Sequence, residues 1–232
     1  MSSIRKQIIA AIETRLADIQ TANGYNTNIG SNIFRGIKII DFSDECPATA
    51  LFPQPDELSE DEYDQNKLIM PVAVQGLVEI GSSNPSDLAE NMLADLIECL
   101  TGGEWSMSYT SGSSEIEVGD TVTGATSGAT AYVAGITLAT GSWAGGDAAG
   151  TLTLRRLSGE FHAEEINTNA ATIDGTITYS SEIDNATGGL ADRIYYQSGG
   201  PTDYPESGQL AVGVEAIFNI DYYTSHGDPY SQ

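Results

Sequence analysis

The chain has 232 residues, of which 33 are acidic and 9 are basic, so its formal net charge is −24 at pH 7. A surface of that sign repels the phosphates of nucleic acids and disfavours a protein that grips DNA. The hydrophobic content of 40% and the helical and strand-like periods exclude a disordered chain. With two cysteines, no apolar run of 18 residues and no signal-peptide core, we expect a protein made in the cytoplasm, without a disulfide framework or a membrane partner.

The first predicted element is an amphipathic helix. It follows Ser2 and Ser3, which are possible N-caps, and it stops before Asn23 and Gly24. Its apolar residues recur at helical spacing, and they are Ile4, Ile8, Ile12, Leu16 and Ile19. A short strand at 48–52, bounded by prolines, comes next.

An acidic segment lies between Pro53 and Asn66 and has little apolar content. Its carboxylates are Asp56, Glu57, Glu60, Asp61, Glu62 and Asp64. The ligand spacing and central glycine of an EF-hand are absent, so the pattern favours a solvated loop between two strands over a calcium site.

Two long segments, from Leu68 to Ile80 and from Gly208 to Tyr223, have apolar residues or glycine at their even positions. This period of two is typical of a strand with one buried face, and we expect the two segments to pair in one antiparallel sheet. A second helix, capped by Asn84 and Pro85, is predicted between the first of them and the glycine pair at 102–103.

The sequence from 109 to 185 is rich in glycine, threonine, alanine and serine, and its short alternating pieces are separated by glycine-bearing turns. This texture predicts a small all-β domain, either a barrel or a sandwich. We interpret it as an insertion into a discontinuous α+β core, residues 1–108 and 186–232, in which two helices flank an antiparallel sheet. In the core a strand at 190–196 is followed by a connection at 198–208.

Motifs of catalysis are scarce. Only two histidines, His162 and His226, are present, and no GxSxG, GxxxxGK or strand-linked GxGxxG pattern occurs. No pattern singles out a pair of carboxylates as acid and base. We therefore expect a protein that is not an enzyme and uses no metal or other cofactor.

The core residues resemble a known family, the tail terminator (tail completion) proteins of tailed phages. The features that carry the resemblance are the N-terminal helix, the proline-flanked strand with its acidic loop, the strand at 68–80, the helix capped by Asn84 and Pro85, the segment from Leu190 to Tyr196, and the strand at 212–223 followed by Gly227, Asp228 and Pro229. The resemblance covers about two thirds of the chain and none of the insertion.

The resemblance implies a homohexameric ring that caps the head-proximal end of the tail tube and stops its polymerisation. Its partners would be further copies of the chain, the tail tube protein and a neck or head-completion (stopper) protein. DNA would pass through the pore without specific binding. The protein would reside in the virion at the tail–neck junction, after assembly in the cytoplasm of a bacterial host.

Two groups of residues are candidates for contacts in such a ring. Candidates that face the pore or the tube are the carboxylates Asp56, Glu57, Glu60, Asp61, Glu62 and Asp64 together with Glu215, Asn219 and Asp221. Candidates for contacts between subunits or with the neck are Tyr195, Tyr196, Tyr223, Asp228, Pro229 and Tyr230.

Two other functions fit the same sequence. One is a different head–tail connector or stopper protein. The other is a carbohydrate- or cell-binding β module, in which Trp143, Tyr132 and Phe161 of the insertion would be the active aromatic residues.

Overall fold

The computed structural model describes residues 2–36, 45–61, 64–81, 84–167, 170–202 and 211–232. These residues form an α+β protein that is mostly sheet and contains three α-helices. The chain divides into two compact units, each with its own sheet and its own hydrophobic core. The first unit comprises Met1–Thr21, Tyr25–Gly102 and Glu182–Gln232, and the second comprises Ala22–Gly24 and Gly103–Ser181.

The three helices lie in the first unit. They are α1 (Ile4–Leu16), α2 (Pro85–Thr101) and α3 (Glu182–Thr187). α1 begins where the Ser3 hydroxyl accepts a hydrogen bond from the Lys6 amide. α2 begins where the Asn84 side chain accepts one from the Ser86 amide, and it ends at Gly102. The two predicted helices are thus confirmed, whereas α3 is too short to leave a periodic signal in the sequence.

The first unit contains a six-stranded sheet. Its strands are β1 (Ile33–Arg35), β2 (Ala48–Pro53), β3 (Glu57–Asp61), β4 (Gln65–Glu79), β11 (Arg193–Pro201) and β12 (Ala211–Ser225). The strand order is β1-β2-β4-β12-β11, and β3 also pairs with β4. β4 and β12 are antiparallel without a register shift, from Ala211 opposite Glu79 to Ser225 opposite Gln65. The predicted pairing of the two long strands is confirmed.

One strand pair departs from the predicted antiparallel sheet. β1 runs parallel to β2, with Ile33 opposite Thr49 and Arg35 opposite Leu51. A parallel pair requires a crossover of about a dozen residues or more, and the segment 36–47 supplies that length. The sheet of the first unit is therefore mixed.

The sequence predicted a loop for the acidic segment, but part of the segment forms a strand. Glu57–Asp61 forms β3, which pairs with the first part of β4, whereas β2 pairs only with the part from Val72 to Leu77. The edge of β4 that β2 leaves open is thus occupied by β3. The described side chains of β3 are exposed, so the strand depends on backbone hydrogen bonds and has no apolar period.

A second correction concerns the glycines after the strand at 190–196. Ser198 to Pro201 continue β11 and pair with β12 up to Pro201 opposite Val214, although the sequence predicted a connection there. A register shift between Tyr196 and Ser198 marks a bulge. Glycine has low strand propensity, but here the long partner strand β12 supplies the hydrogen bonds.

The even-numbered residues of β4 and β12 form one hydrophobic core with the helices. Met70, Val74 and Phe218 belong to the same buried cluster as Ile8 of α1 and Met92 of α2, and all five are 0% exposed. Burial of each such side chain contributes roughly 1.5–3 kcal/mol. We call the opposite face of β4, β12 and β11 the outer face. It carries the odd-numbered residues of β4 and β12.

The second unit is an antiparallel sheet of six strands. They are β5 (Glu104–Gly112), β6 (Thr121–Thr123), β7 (Thr130–Thr140), β8 (Ala148–Ser158), β9 (Glu164–Ile166) and β10 (Ala171–Ser180), in the order β6-β7-β8-β5-β10-β9. A bridge between Gly124 and Ile166 links the two ends of this order, and the Ala125 amide donates to the Glu165 carbonyl at 2.9 Å. The sheet is thus a nearly closed barrel, and closure removes exposed strand edges.

The second unit begins at Gly103 and ends at Ser181, whereas the sequence placed its boundaries at 109 and 185. The difference at the first boundary arises from β5, which pairs with both β8 and β10. Residues 104–108 look like a continuation of the core in sequence because Trp105 and Met107 are apolar. Met107 belongs to the hydrophobic cluster of the barrel, and Trp105 packs against that cluster.

Candidate functional site

The outer face of the first sheet carries polar residues in one row along β12. Glu215, Asn219 and Asp221 share this face with Ile217, because all four are odd-numbered residues of one strand. At about 3.3 Å per residue, the row from Glu215 to Asp221 spans roughly 20 Å. The alternation in the sequence predicted that the three polar residues share a face, and the structure places them together.

The register gives each polar residue of this row two cross-strand neighbours. Asp221 lies between Ile69 and Arg193, Asn219 lies between Pro71 and Tyr195, and Glu215 lies between Gln75 and Gly200. Residues directly opposite on adjacent strands share a face and contact one another. The outer face is therefore a mixed surface of carboxylates, amides, aromatic rings and aliphatic side chains, unlike a uniformly polar solvent face.

The hydrogen bonds of the row are incomplete. Glu215 accepts a hydrogen bond from Gln75 Nε2 at 2.7 Å. Asn219 donates from Nδ2 to Tyr195 Oη at 3.4 Å, but its Oδ1 has no partner among the described residues. Asp221 is only 8% exposed, and no described residue donates to its Oδ1. A buried acceptor without a donor costs about 1–3 kcal/mol of stability.

Arg193 lies opposite Asp221 in the register but does not satisfy it. Its guanidinium carbon lies 4.4 Å from the centre of the Tyr195 ring, a cation–π contact. Among the described residues, no ion pair joins Arg193 to Asp221. Arg193 therefore stacks on an aromatic ring and forms no ion pair with Asp221.

A depression of about 550 Å³ lies at the other end of the row. It is lined by Ser198, Gly199, Gly200, Pro201, Thr202, Glu215 and Ile217. Its cause is the sequence of β11, where Gly200 faces Glu215 and Ser198 faces Ile217, so no large side chain covers β12. These residues were not predicted as a site, because Ser-Gly-Gly resembles a turn. The only pattern in the sequence that indicated this surface was the alternation of polar and apolar residues in β12, the strand opposite them.

Asp56 of the acidic segment has a structural role. It accepts hydrogen bonds from Arg5 Nε at 2.9 Å and from Tyr222 Oη at 3.0 Å. Burial, together with the adjacent Asp56 carboxylate, raises the pKa of Tyr222 well above its usual range, so the phenol keeps its proton and donates. Asp56 thus links α1 to β12.

The other predicted carboxylates of the segment are more exposed. Glu57 and Glu60 are exposed on β3, and Asp64 is exposed just before β4. Asp61 is the last residue of β3, and Glu62 lies outside the described residues. Glu57, Glu60 and Asp61 lie on β3 next to β4, whereas Glu215, Asn219 and Asp221 lie on the outer face.

The six predicted contact residues fall into three places. Tyr195 and Tyr223 lie on the outer face, where the Lys67 ammonium is 5.5 Å from the centre of the Tyr223 ring. Tyr196 lies on the core side and meets Phe218 edge-on at 5.8 Å. The C-terminal turn holds the remaining residues, which are Asp228, Pro229 and Tyr230. Two of the six therefore adjoin the polar row.

The aromatic residues of the barrel do not form a common platform. Phe161 is 2% exposed and belongs to the barrel core. Trp143 stacks on Tyr109, with ring centres 5.2 Å apart and planes 9° from parallel. The Tyr132 ring is covered by the Arg156 guanidinium, whose carbon is 5.0 Å from the ring centre. A flat glycan-binding surface requires exposed ring faces, which these contacts reduce.

The described residues contain neither a metal-binding cluster nor a membrane-spanning helix. No group of three or more histidine, cysteine, aspartate or glutamate side chains is arranged to hold a metal ion in the part of the chain that the structure describes. No helix within the same ranges is long and apolar enough to cross a membrane.

Comparisons with known proteins give no family for this chain. No protein-family model matches it, and no curated protein matches it.

Proposed function

We propose that this chain is a structural protein of a tailed-phage virion that caps the head-proximal end of the tail tube as a homohexameric ring. It would end tube polymerisation, join the tail to the neck or stopper protein, and conduct DNA through its pore without catalysis. In this proposal the first unit is the ring-forming core, a mixed sheet flanked by α1 and α2, and the barrel is an insertion.

The observation that carries the proposal is the outer face of β12. A strand of 15 residues presents a row of half-buried polar and apolar side chains, with two acceptor oxygens that no described residue satisfies. Such a face is similar to a surface that another protein covers, because aromatic residues are enriched at protein interfaces. Tyr195 and Tyr223 on the same face add to this support.

The net charge supports a DNA-conducting pore in the same proposal. Six copies at −24 each would carry a formal charge of −144. A pore wall of that sign does not hold phosphates, so DNA would slide without binding. Glu57, Glu60 and Asp64 are the carboxylates we propose for the pore or its mouth, since they are exposed.

Mass photometry tests the proposal, with the purified protein measured over a range of salt concentrations, alone and with tail tube protein from the same source. We expect a species of about 147 kDa, which is six times the 24.5 kDa of one chain. It should form either in the protein alone or after tube protein is added. A stable dimer under both conditions would contradict the ring.

A further inference from the structure

The barrel closes along only part of strand β7. β6 pairs with residues 130–132, and the backbones of Gly119 and Asp120 bond to the next residue, Val133. From there β7 continues to Thr140, and on one side it pairs with β8. On its other side, no described residue forms a backbone hydrogen bond with residues 134–140. We call this side of residues 134–140 the open edge of β7.

The open edge presents the backbone groups of Ile136 and Leu138. Thr137 lies opposite Thr151 of β8, and a Cβ added to the neighbouring Gly150 would collide with the Thr137 carbonyl oxygen. The backbone of Thr137 therefore faces β8. Successive residues of a strand direct their N–H and C=O groups to opposite sides, so those of Ile136 and Leu138 point away from β8. Two donors and two acceptors are thus free to pair with another strand.

The side chains along the open edge are exposed and uncharged. Residues 137–140 are all exposed, and Leu138 is 47% exposed. The residue opposite Leu138 is Gly150, which has no side chain to cover it. The sequence between Asp120 and Asp147 contains no charged residue and no proline. Natural proteins usually protect an edge strand with charges or prolines, and this edge has neither.

The charges at the two ends of the open edge favour a different protein over a second copy. Asp120 lies at one end, beside Val133, and Asp147 lies at the other end, just before β8. In an antiparallel pair of two copies, the Asp120 end of one edge would lie beside the Asp147 end of the other, so like charges would meet. A strand with a basic residue at each end complements both carboxylates instead.

We propose that the open edge of β7 binds an extended segment of another protein, which adds to the barrel as a further strand. The centre of the segment is uncharged, and its backbone bonds to Ile136 and Leu138. A basic residue near each end lies beside Asp120 or Asp147, and an apolar side chain packs against Leu138. In strand addition, backbone hydrogen bonds give affinity and side chains give specificity. This site goes beyond the proposed ring, because it lies within the barrel.

Hydrogen–deuterium exchange of the full chain tests this site, with mass spectrometry of the segment 133–140 as the readout. The probe is a pool of acetylated and amidated heptapeptides that have lysine at both ends and valine, isoleucine or threonine at the central positions. We expect the pool to slow the exchange of about two amides, those of Ile136 and Leu138. A matched pool, N-methylated at alternate central residues, cannot pair as a strand and should give no protection.

Two variants and one control locate the site. Leu138→Pro removes an N–H of the open edge, leaves the groups that face β8, and should weaken binding of the pool about tenfold or more. Leu138→Lys places a charge on the edge and should weaken binding as well. Leu58→Lys makes the same replacement at a 60% exposed position of β3 in the first unit, and it should bind like the wild type.

Protection by the first pool alone, weakened by both Leu138 variants and not by Leu58→Lys, supports the site. Equal protection by the N-methylated pool, no protection of the segment 133–140, or undiminished binding by the Leu138 variants would overturn it. Light scattering of the chain alone tests the second copy. Pairs of chains that Leu138→Lys separates and Leu58→Lys does not would assign the edge to self-association and overturn the proposal.

The same exchange data show whether the variants are folded, because exchange in the rest of the chain should match that of the wild type. The readout is confined to one strand of the barrel and does not depend on the number of subunits. Its outcome is therefore separate from that of the ring.

Discussion

At the scale of single residues, two buried carboxylates of the first unit differ in how their oxygens are satisfied. Asp95 accepts four hydrogen bonds of 2.7–2.9 Å from the amides and side chains of Asn26 and Thr27. Burial raises the pKa of Asp95 from its ordinary value, and these donors oppose the rise. Among the described residues, Asp221 has no such donor at Oδ1. Asp95 is therefore held by its hydrogen bonds, whereas Asp221 is satisfied less completely.

Replacement of Asp95 should destabilise the first unit strongly. Asp95→Ala leaves four donors of Asn26 and Thr27 without their acceptor, and we expect the free energy of unfolding to fall by about 3 kcal/mol. Urea denaturation measures this change. Glu90→Ala, at an exposed position of α2, is the control and should change the stability by less than about 0.5 kcal/mol. A similar small change for Asp95→Ala would contradict the structural role.

Glu164 gives the barrel a defined response to acid. Its carboxylate accepts hydrogen bonds from the Ser127 and Thr126 side chains and from both of their amides. The Ser127 hydroxyl is the largest cause, and together these donors hold the pKa of Glu164 well below its usual value. A lowered pKa in the folded state stabilises the fold above the ordinary pKa of 4.5, and this stabilisation is lost as the pH falls below it.

The midpoint of thermal unfolding between pH 6 and pH 2 tests this response. The wild type should lose more stability on acidification than Glu164→Gln, because the neutral amide has no proton to gain in this range. Glu160→Gln, at an exposed position after β8, serves as the control and should follow the wild type. Parallel curves for the wild type and Glu164→Gln would show that the hydrogen bonds of Glu164 do not depend on its charge.

At the scale of elements, the period of two in β4 and β12 determines which side chains carry stability. Phe218 is 0% exposed in the core, whereas Ile217 lies on the outer face and is partly exposed. Phe218→Ala should lower the free energy of unfolding by about 3–5 kcal/mol, since it opens a cavity that the core cannot refill. Ile217→Ala should cost less than half as much in the same urea denaturation. Equal losses would contradict the division into a core face and an outer face.

The elements that could be predicted from the sequence are those in which burial repeats along the chain. The long strands and the two long helices have such repeats, from Leu68 to Ile80 for example, and their caps mark the ends. β3 and the end of β11 have none, because an exposed edge strand and a run of glycines depend on the hydrogen bonds of a neighbour. The parallel strand β1 was not predicted because its three residues are too few to show a repeat of buried positions.

The candidate site could also be predicted only in part. Alternation alone identified Glu215, Asn219 and Asp221 as residues of one face. Their neighbours Gln75 and Gly200 could not be predicted, because a shift of one residue in the register would place different side chains opposite them. The structural role of Asp56 depends on Arg5 and Tyr222, which lie far away in the sequence and meet it only in the fold.

At the scale of the whole molecule, the two units should be separable. Each has its own hydrophobic cluster, and α2 and α3, which flank the barrel in sequence, contact each other within the first unit. Replacement of residues 103–181 by a short glycine-serine linker should therefore leave a soluble first unit with one cooperative unfolding transition. Calorimetry measures this transition. An insoluble product, or one without a transition, would contradict the separation into two units.

The most direct test of the proposed function is the growth of tail tubes in the presence of the purified protein, imaged by negative-stain electron microscopy. Tube protein from the same source is allowed to polymerise with and without the chain, and tube lengths and ends are compared. The proposal predicts shorter tubes with a ring of six subunits at one end. Tubes of unchanged length with bare ends, at a protein concentration well above that of the tube ends, would contradict it.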